Sequence, residues 1–323
     1  MPSYSDAVRS FPGAINNDTG TYAKDNALFL KVFAGEVLTA FDETNVFKDL
    51  HLVRTISNGK SASFPATWKA TARYHTPGTP ILGSNQMKHN ERVITIDDLL
   101  IADTFIYDLD AAKNHYDVRQ IYSTELGRAL AKAYDTRLGR VAVLTARAAA
   151  TVTGGNGGSQ LKNTSAATDG EVLAGLAFTA QQTFDEKDVP ESERYMVVRP
   201  AQYYLLAQTT KILNRDWGGR GSYSDGTVLN VAGLNIIKSN HLPNDNYAGT
   251  TGEQNTYTGD FRDTVAAVFH KTAFGTVKLM DLALEQTGHD FHVMYQGDMM
   301  VGKYAMGHGI LRPECAIEIS KAV

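Results

Sequence analysis

From Val118 to about Ala149 the chain keeps one helical rhythm without interruption. Val118, Ile121, Tyr122, Leu126, Ala129, Leu130, Ala133, Leu138, Val141, Ala142 and Leu144 recur at intervals that keep one face of an α-helix apolar. The stretch has no proline and is dominated by Ala, Leu and Arg, all strong helix formers. At ~1.5 Å per residue such a helix reaches roughly 45 Å, longer than a small domain is wide. A rod of that length cannot hide inside one compact core, so the rest of the chain has to be built along it as along a spine. The rhythm stops at Thr153-Gly154-Gly155-Asn156-Gly157-Gly158-Ser159, which reads as a flexible linker.

Residues 1–26 are polar and rich in turn formers (Pro12-Gly13, Asn16-Asn17-Asp18, Thr19-Gly20), an extended arm with little core of its own. Leu30, Phe33, Val37, Leu38 and Phe41 then share a helical face, with Asp25 or Asn26 as the cap. Residues 51–94 differ in character. β-prone runs at Leu52–Ile56, Ser61–Phe64, Lys69–Tyr74 and Arg92–Ile96 alternate with turn residues at Asn58-Gly59, Thr76-Pro77-Gly78-Thr79-Pro80 and Gly83-Ser84-Asn85. With few large apolar residues, this predicts a long projecting hairpin.

Beyond the linker, helices and strands alternate. Asp169 caps a helix running to about Phe184, Tyr195–Val198 is a buried strand, and Pro200 opens a helix over Ala201–Ala207 at its preferred first position. Thr227–Lys238 holds two strand-like runs around Ala232-Gly233. Further strands are expected at Thr264–Phe269, Thr276–Leu279, Phe291–Tyr295, Met299–Met306 and Ala316–Ile319, with polar, Gly-rich loops at 214–226 and 239–263. The fold class is α+β.

Composition removes several functions. The 323 residues, 43% hydrophobic and 20% charged, are enough for a sizeable core and about two domains. A net charge of −4 argues against a dedicated nucleic-acid binder. The single cysteine, Cys315, excludes an internal disulfide and a multi-cysteine zinc site, and reads as a small buried residue at a strand start. No apolar run approaches the ~18 residues of a membrane span, and the first residues do not resemble a secretory leader. A soluble intracellular protein is expected.

The candidate chemical sites are thin. Gly155-Asn156-Gly157-Gly158 follows a helix, where a dinucleotide-binding loop needs a strand before it. His289-Asp290-Phe291-His292 offers two imidazoles, but in a strand positions i and i+3 face opposite ways, and no third ligand stands at a standard spacing. Asp97, Asp98, Asp103, Asp108 and Asp110 form an acidic series that would suit Mg²⁺ or acid–base work, or else a solvated or inter-subunit face. No Gly-x-Ser-x-Gly elbow and no His-Glu-x-x-His motif occurs. Charge is segregated locally. Residues 51–94 carry six basic side chains (Arg54, Lys60, Lys69, Arg73, Lys88, Arg92) against Glu91, a net of +5. Residues 95–118 carry six aspartates against Lys113, a net of −5. The expectation is a docking pair, the basic hairpin of one subunit resting near the acidic stretch of the next.

Several stretches resemble one family. Leu28-Phe29-Leu30-Lys31-Val32-Phe33-Ala34-Gly35-Glu36-Val37-Leu38-Thr39-Ala40-Phe41 is similar to the N-terminal region of the major capsid proteins of T-seven-type short-tailed bacteriophages. So are Ser57 through Phe64, Val93-Ile94-Thr95-Ile96-Asp97, Asn114-His115-Tyr116-Asp117-Val118-Arg119, Gly275-Thr276-Val277-Lys278-Leu279, Asp281-Leu282-Ala283-Leu284-Glu285, and Lys303-Tyr304-Ala305-Met306-Gly307-His308-Gly309 leading to Leu311-Arg312-Pro313-Glu314. The matches run in order along the chain and are weak between 150 and 260.

The resemblance implies the Hong Kong 97 bacteriophage capsid fold. Its parts would be an N-terminal arm (1–50), an extension-loop hairpin (51–94), a peripheral domain (95–169 and 283–312, with the spine helix at 118–149) and an axial domain (170–282 and 313–323). It further implies self-assembly into hexamers and pentamers of an icosahedral shell around double-stranded DNA, held without sequence-specific binding. An internal scaffolding protein would act during assembly, and a portal protein would occupy one vertex. No catalysis, cofactor, metal or membrane is implied. The protein would end in the virion, after assembly in the cytoplasm of a bacterial host. Two other readings stay open from the residues: an encapsulating compartment of the same fold, and an oligomeric metal-dependent enzyme using Asp97–Asp110.

Overall fold

A computed structural model of the protein describes residues 45–70, 72–81, 83, 87–112, 118–209, 230–286 and 289–321. The expected helix at 28–41 and the loop at 214–226 lie outside them. In chain order the elements begin with strands β1 (Leu52–Thr55), β2 (Ser61–Thr67), β3 (His89–Thr95) and β4 (Leu100–Tyr107). Helices α1 (Asp108–Ala112) and α2 (Val118–Arg147) follow, then β5 (Ser159–Lys162), α3 (Gly170–Glu186), β6 (Arg194–Val198) and α4 (Pro200–Ala207). Short strands β7 (Asn230–Val231), β8 (Leu234–Lys238), β9 (Asn246–Tyr247) and β10 (Gly259–Asp260) lead to β11 (Thr264–His270) and β12 (Phe274–Gln286). Helix α5 (His289–Tyr295), β13 (Gly297–Ile310) and β14 (Ala316–Ser320) complete the chain.

The chain forms two compact units. One comprises the described residues within 99–134 and 280–305, the other those within 45–98, 135–279 and 306–321. The spine appears as α2, thirty residues long, ending two residues before the expected stop. In the larger unit six strands lie in the order β5-β14-β11-β6-β8-β7. β11 is buried along its whole length, antiparallel to β14 on one side and to β6 on the other. Its apolar run, Val265 to Phe269, is the continuous kind expected of a strand covered on both faces. Helix α3 buries Leu173, Ala177, Ala180 and Phe184, one stripe at helical spacing. Asp169 caps it as the sequence predicts, its side chain accepting from the Glu171 and Val172 amides. The β7–β8 turn falls at Ala232-Gly233, both with positive φ.

The spine's C-terminus is tied to the last strand. Arg147 grips Glu318 with both arms at 2.6 Å and donates to Asp260 O at 2.7 Å, while Thr264 Oγ1 donates to the same carboxylate at 2.7 Å. Glu318 is buried, so this bidentate pair and the hydroxyl replace the water it gives up.

Three expectations are corrected. The glycine run after α2 is packed, not a free linker. The Gly158 amide donates to Ala148 O, Lys187 Nζ donates to Gly157 O, and a Cβ on Gly158 would stand 2.3 Å from Ala146 O. Phe291–Tyr295 lies in helix α5, not a strand. Residues 69–70 and 72–74 belong to no strand; the ladder of the hairpin ends where Thr67 pairs His89.

Candidate assembly surface and polar clusters

The hairpin pairs β2 with β3 antiparallel, from Ser61↔Thr95 to Thr67↔His89. Ala62 and Ile94, directly opposite, are buried, while Ser61, Ser63 and Val93 beside them are exposed and Thr95 is half-buried. Its basic residues divide into two sets. Arg54 donates to Ser63 O at 3.3 Å and lies over the Phe64 ring. Arg92 Nε donates to Thr151 Oγ1 at 3.1 Å, and Lys69 pairs with Asp188, both side chains exposed. Lys60, Arg73 and Lys88 are exposed.

The acidic series is not one face. Asp97 is buried, and this corrects its reading as part of an outward surface. Its carboxylate accepts from Tyr257 OH (2.6 Å), the Gln254 amide (2.8 Å), Asn255 Nδ2 (3.0 Å) and the Asn255 amide (3.3 Å). Burial pushes the Asp97 carboxyl above its ordinary range, and these donors partly hold it down. Burial and the neighbouring Asp97 charge push the Tyr257 phenol up. The cluster pins the base of the hairpin to the 250–257 loop, helped by Asn255 Nδ2 donating to Thr95 O. Asp98 and Asp103 are exposed. Asp108 meets His292 and Asp298, and the Asp110 side chain lies outside the described residues. That last grouping is not legible in the sequence, because the segment of α5 reads as a strand and because its members come from three separate elements.

Comparison with known proteins decides what this arrangement belongs to. A family model described as Gp10A-like major capsid protein matches residues 63–320. The major capsid protein of Escherichia phage T7 is 36% identical over 316 residues, covering 90% of each chain. That of Enterobacteria phage T3 is 36% identical over 331 residues, covering 93% of this chain and 94% of its own. The chain belongs to the Gp10A-like major capsid protein family.

The capsid structure of the cyanophage P-SCSP1u superposes with a TM-score of 0.84 at 48% identity, over 98% of this capsid protein and 99% of that chain. The mature capsid of bacteriophage PhiM1, at 22% identity and TM-score 0.74, shows the same fold. The fold is the Hong Kong 97 capsid fold that the resemblance implied. The capsid proteins among its relatives are structural, so the reading as a metal-dependent enzyme gives way. The surface suits a shell subunit. Tyr74, Ile81, Met87 and Val93, all apolar or aromatic, are half to fully exposed along the hairpin segment. A groove of about 390 Å³ opens along the Phe64–Trp68 end of the hairpin, lined also by Val152, Leu311, Arg312 and Glu314 among others.

Proposed function

We propose that this major capsid protein first assembles with an internal scaffolding protein into a procapsid of hexamers and pentamers, with a portal protein at one vertex. The shell then encloses double-stranded DNA without sequence-specific binding. Assembly takes place in the cytoplasm of a bacterial host. The parts follow the division into arm (1–50), extension loop (51–94), peripheral domain (95–169 and 283–312) and axial domain (170–282 and 313–323). A net charge of −4 supports a container that must let its cargo move.

The observation that carries this reading is the exposed hairpin, basic and apolar at once. The apolar side chains supply contact area on a neighbouring subunit, and Lys60, Arg73 and Lys88 set its orientation against Asp98 and Asp103 of that neighbour. Arg54, Lys69 and Arg92 act first within their own chain, and Asp97 inside its own fold. Each exposed pair is worth only ~0.2–1 kcal/mol, but a closed shell repeats it in every subunit.

Charge reversal tests the docking. Arg73→Glu with Lys88→Glu is expected to cut shell yield on co-expression with the scaffolding protein, and adding Asp98→Lys with Asp103→Lys to restore part of it. Full yield from the first double variant would mean that backbone and apolar contacts alone hold the hairpin. DNA content of purified particles separates a phage shell from a cargo compartment.

A further inference from the structure

His292 and Asp298, six residues apart in α5 and β13, meet Asp108, which follows β4 and opens α1. His292 Nδ1 lies 2.9 Å from Asp298 Oδ1, and His292 Nε2 lies 3.1 Å from Asp108 Oδ2. One ligand atom from each of the three falls within 4.8 Å of the others. The backbone holds them there. The Asp108 amide donates to Gln296 O at 3.0 Å, and the Gln296 amide to His292 O at 2.7 Å. Ile106 pairs with Asp298 and Tyr107 with Gly297. At Gly297 a Cβ would stand 2.4 Å from Ile106 O, so the close approach of the two strands requires glycine.

A neutral imidazole carries one N–H and one lone pair. Here a carboxylate oxygen faces each ring nitrogen at contact distance. One nitrogen donates; at the other, two lone pairs would face each other unless a cation lies between them. That cation is a proton or a metal ion.

We propose that His292 and Asp108 bind a divalent transition metal such as Zn²⁺, with Asp298 fixing the imidazole through its Nδ1–H. Exposure divides the roles. The Asp298 side chain is 11% exposed, whereas Asp108 and His292 are 38% and 34% exposed, so water reaches the Nε2 side and completes the coordination shell. Zn–N and Zn–O bonds of about 2.0–2.2 Å span the 3.1 Å gap at a metal angle near ~95°. Opening the gap to about 3.4 Å reaches the tetrahedral angle, a shift within side-chain freedom at a half-exposed site. Imidazole with carboxylate suits zinc, copper, nickel or iron over magnesium or calcium. A metal-bound histidine whose second N–H is held by a carboxylate is the recurrent form of such sites. The sole cysteine, Cys315, is buried in the other unit and is no competing ligand.

The test is Zn²⁺ binding to shells of the untagged full-length protein, by equilibrium dialysis with metal counted per subunit. One zinc per subunit is expected. His292→Ala and Asp108→Asn each lower the affinity at least tenfold, and Asp298→Asn lowers it about 10–100-fold. His289→Ala, three residues from His292, leaves it unchanged. Asp108→Asn keeps the shape of an exposed side chain, so it gives the same readout should His292→Ala shells fail to form. No zinc above background in the unaltered protein would overturn the proposal and leave a proton between the groups. Binding indifferent to both His292→Ala and Asp108→Asn, or lost with His289→Ala alone, would overturn it equally.

Discussion

Acid should loosen this protein through one buried histidine. His51 is 3% exposed and sits in a directed chain of hydrogen bonds. Its Nδ1 donates to Phe47 O at 2.7 Å, since a carbonyl only accepts, which leaves Nε2 as the acceptor from Thr276 Oγ1 at 2.7 Å. Thr276 Oγ1 in turn accepts from His308 Nδ1 at 2.8 Å. A second proton on His51 would reverse this chain and place a charge in a dry site. Burial lowers its pKa from 6.5 to about 4; Lys278 adds to the fall, while the Phe47 carbonyl and the Asp135 and Asp49 charges oppose it. Because the folded pKa is depressed, the unfolded chain takes up the proton first as pH falls. The contribution is intact above pH 6.5 and erodes between 6.5 and about 4. At about 1.36 kcal/mol per pH unit the whole shift is worth about 3 kcal/mol, of which ~2 kcal/mol is gone at pH 5. His308, fully buried and lowered in the same direction, adds to the loss. The assay is urea unfolding of soluble subunits at pH 7.5 and pH 5, followed by tryptophan fluorescence, with His51→Gln as the non-titrating control. The unaltered protein should lose ~2 kcal/mol more than His51→Gln across that interval. Equal losses would refute the buried, neutral state of His51.

Other perturbations reach other joints. Arg147→Ala strands the Glu318 carboxylate in the core and should cost ~3 kcal/mol in urea unfolding, a large effect for a helix-end residue. Gly158→Ala drives a methyl into Ala146 O and should sharply reduce soluble protein, as should an insertion between Gly157 and Gly158; normal yield from both would restore the free-linker reading. Raising salt to 1 M, where the Debye length is ~3 Å, should weaken contacts between subunits measured by light scattering, and no change would remove the charge pairing from the account.

Local rules made much of the fold readable. The Asp169 cap, the Pro200 start, the Ala232-Gly233 turn and the thirty-residue spine each depend on neighbours within a few positions, and each stands where the sequence predicts. What escaped depends on contacts across long separations. The glycine run after the spine reads as a linker until Lys187 and the helix end close on it. Asp97 reads as a surface charge until Tyr257, 160 residues away, covers it. The segment around Phe291 has β-prone residues, yet it folds as a helix between two long strands, and that turn of helix carries the His292 that meets Asp108 from far back in the chain. Charge counting found the basic hairpin but could not separate Arg54, Lys69 and Arg92, engaged within the chain, from Lys60, Arg73 and Lys88, exposed at its surface.

The central claim is that the chain is a shell-forming subunit, and electron cryo-microscopy of the protein co-expressed with the proposed scaffolding partner tests it most directly. The account predicts closed polyhedral particles whose reconstruction shows hexamers and pentamers, with each hairpin laid on an adjacent subunit. Monodisperse monomers or small closed oligomers, with no shells under any assembly condition, would contradict it.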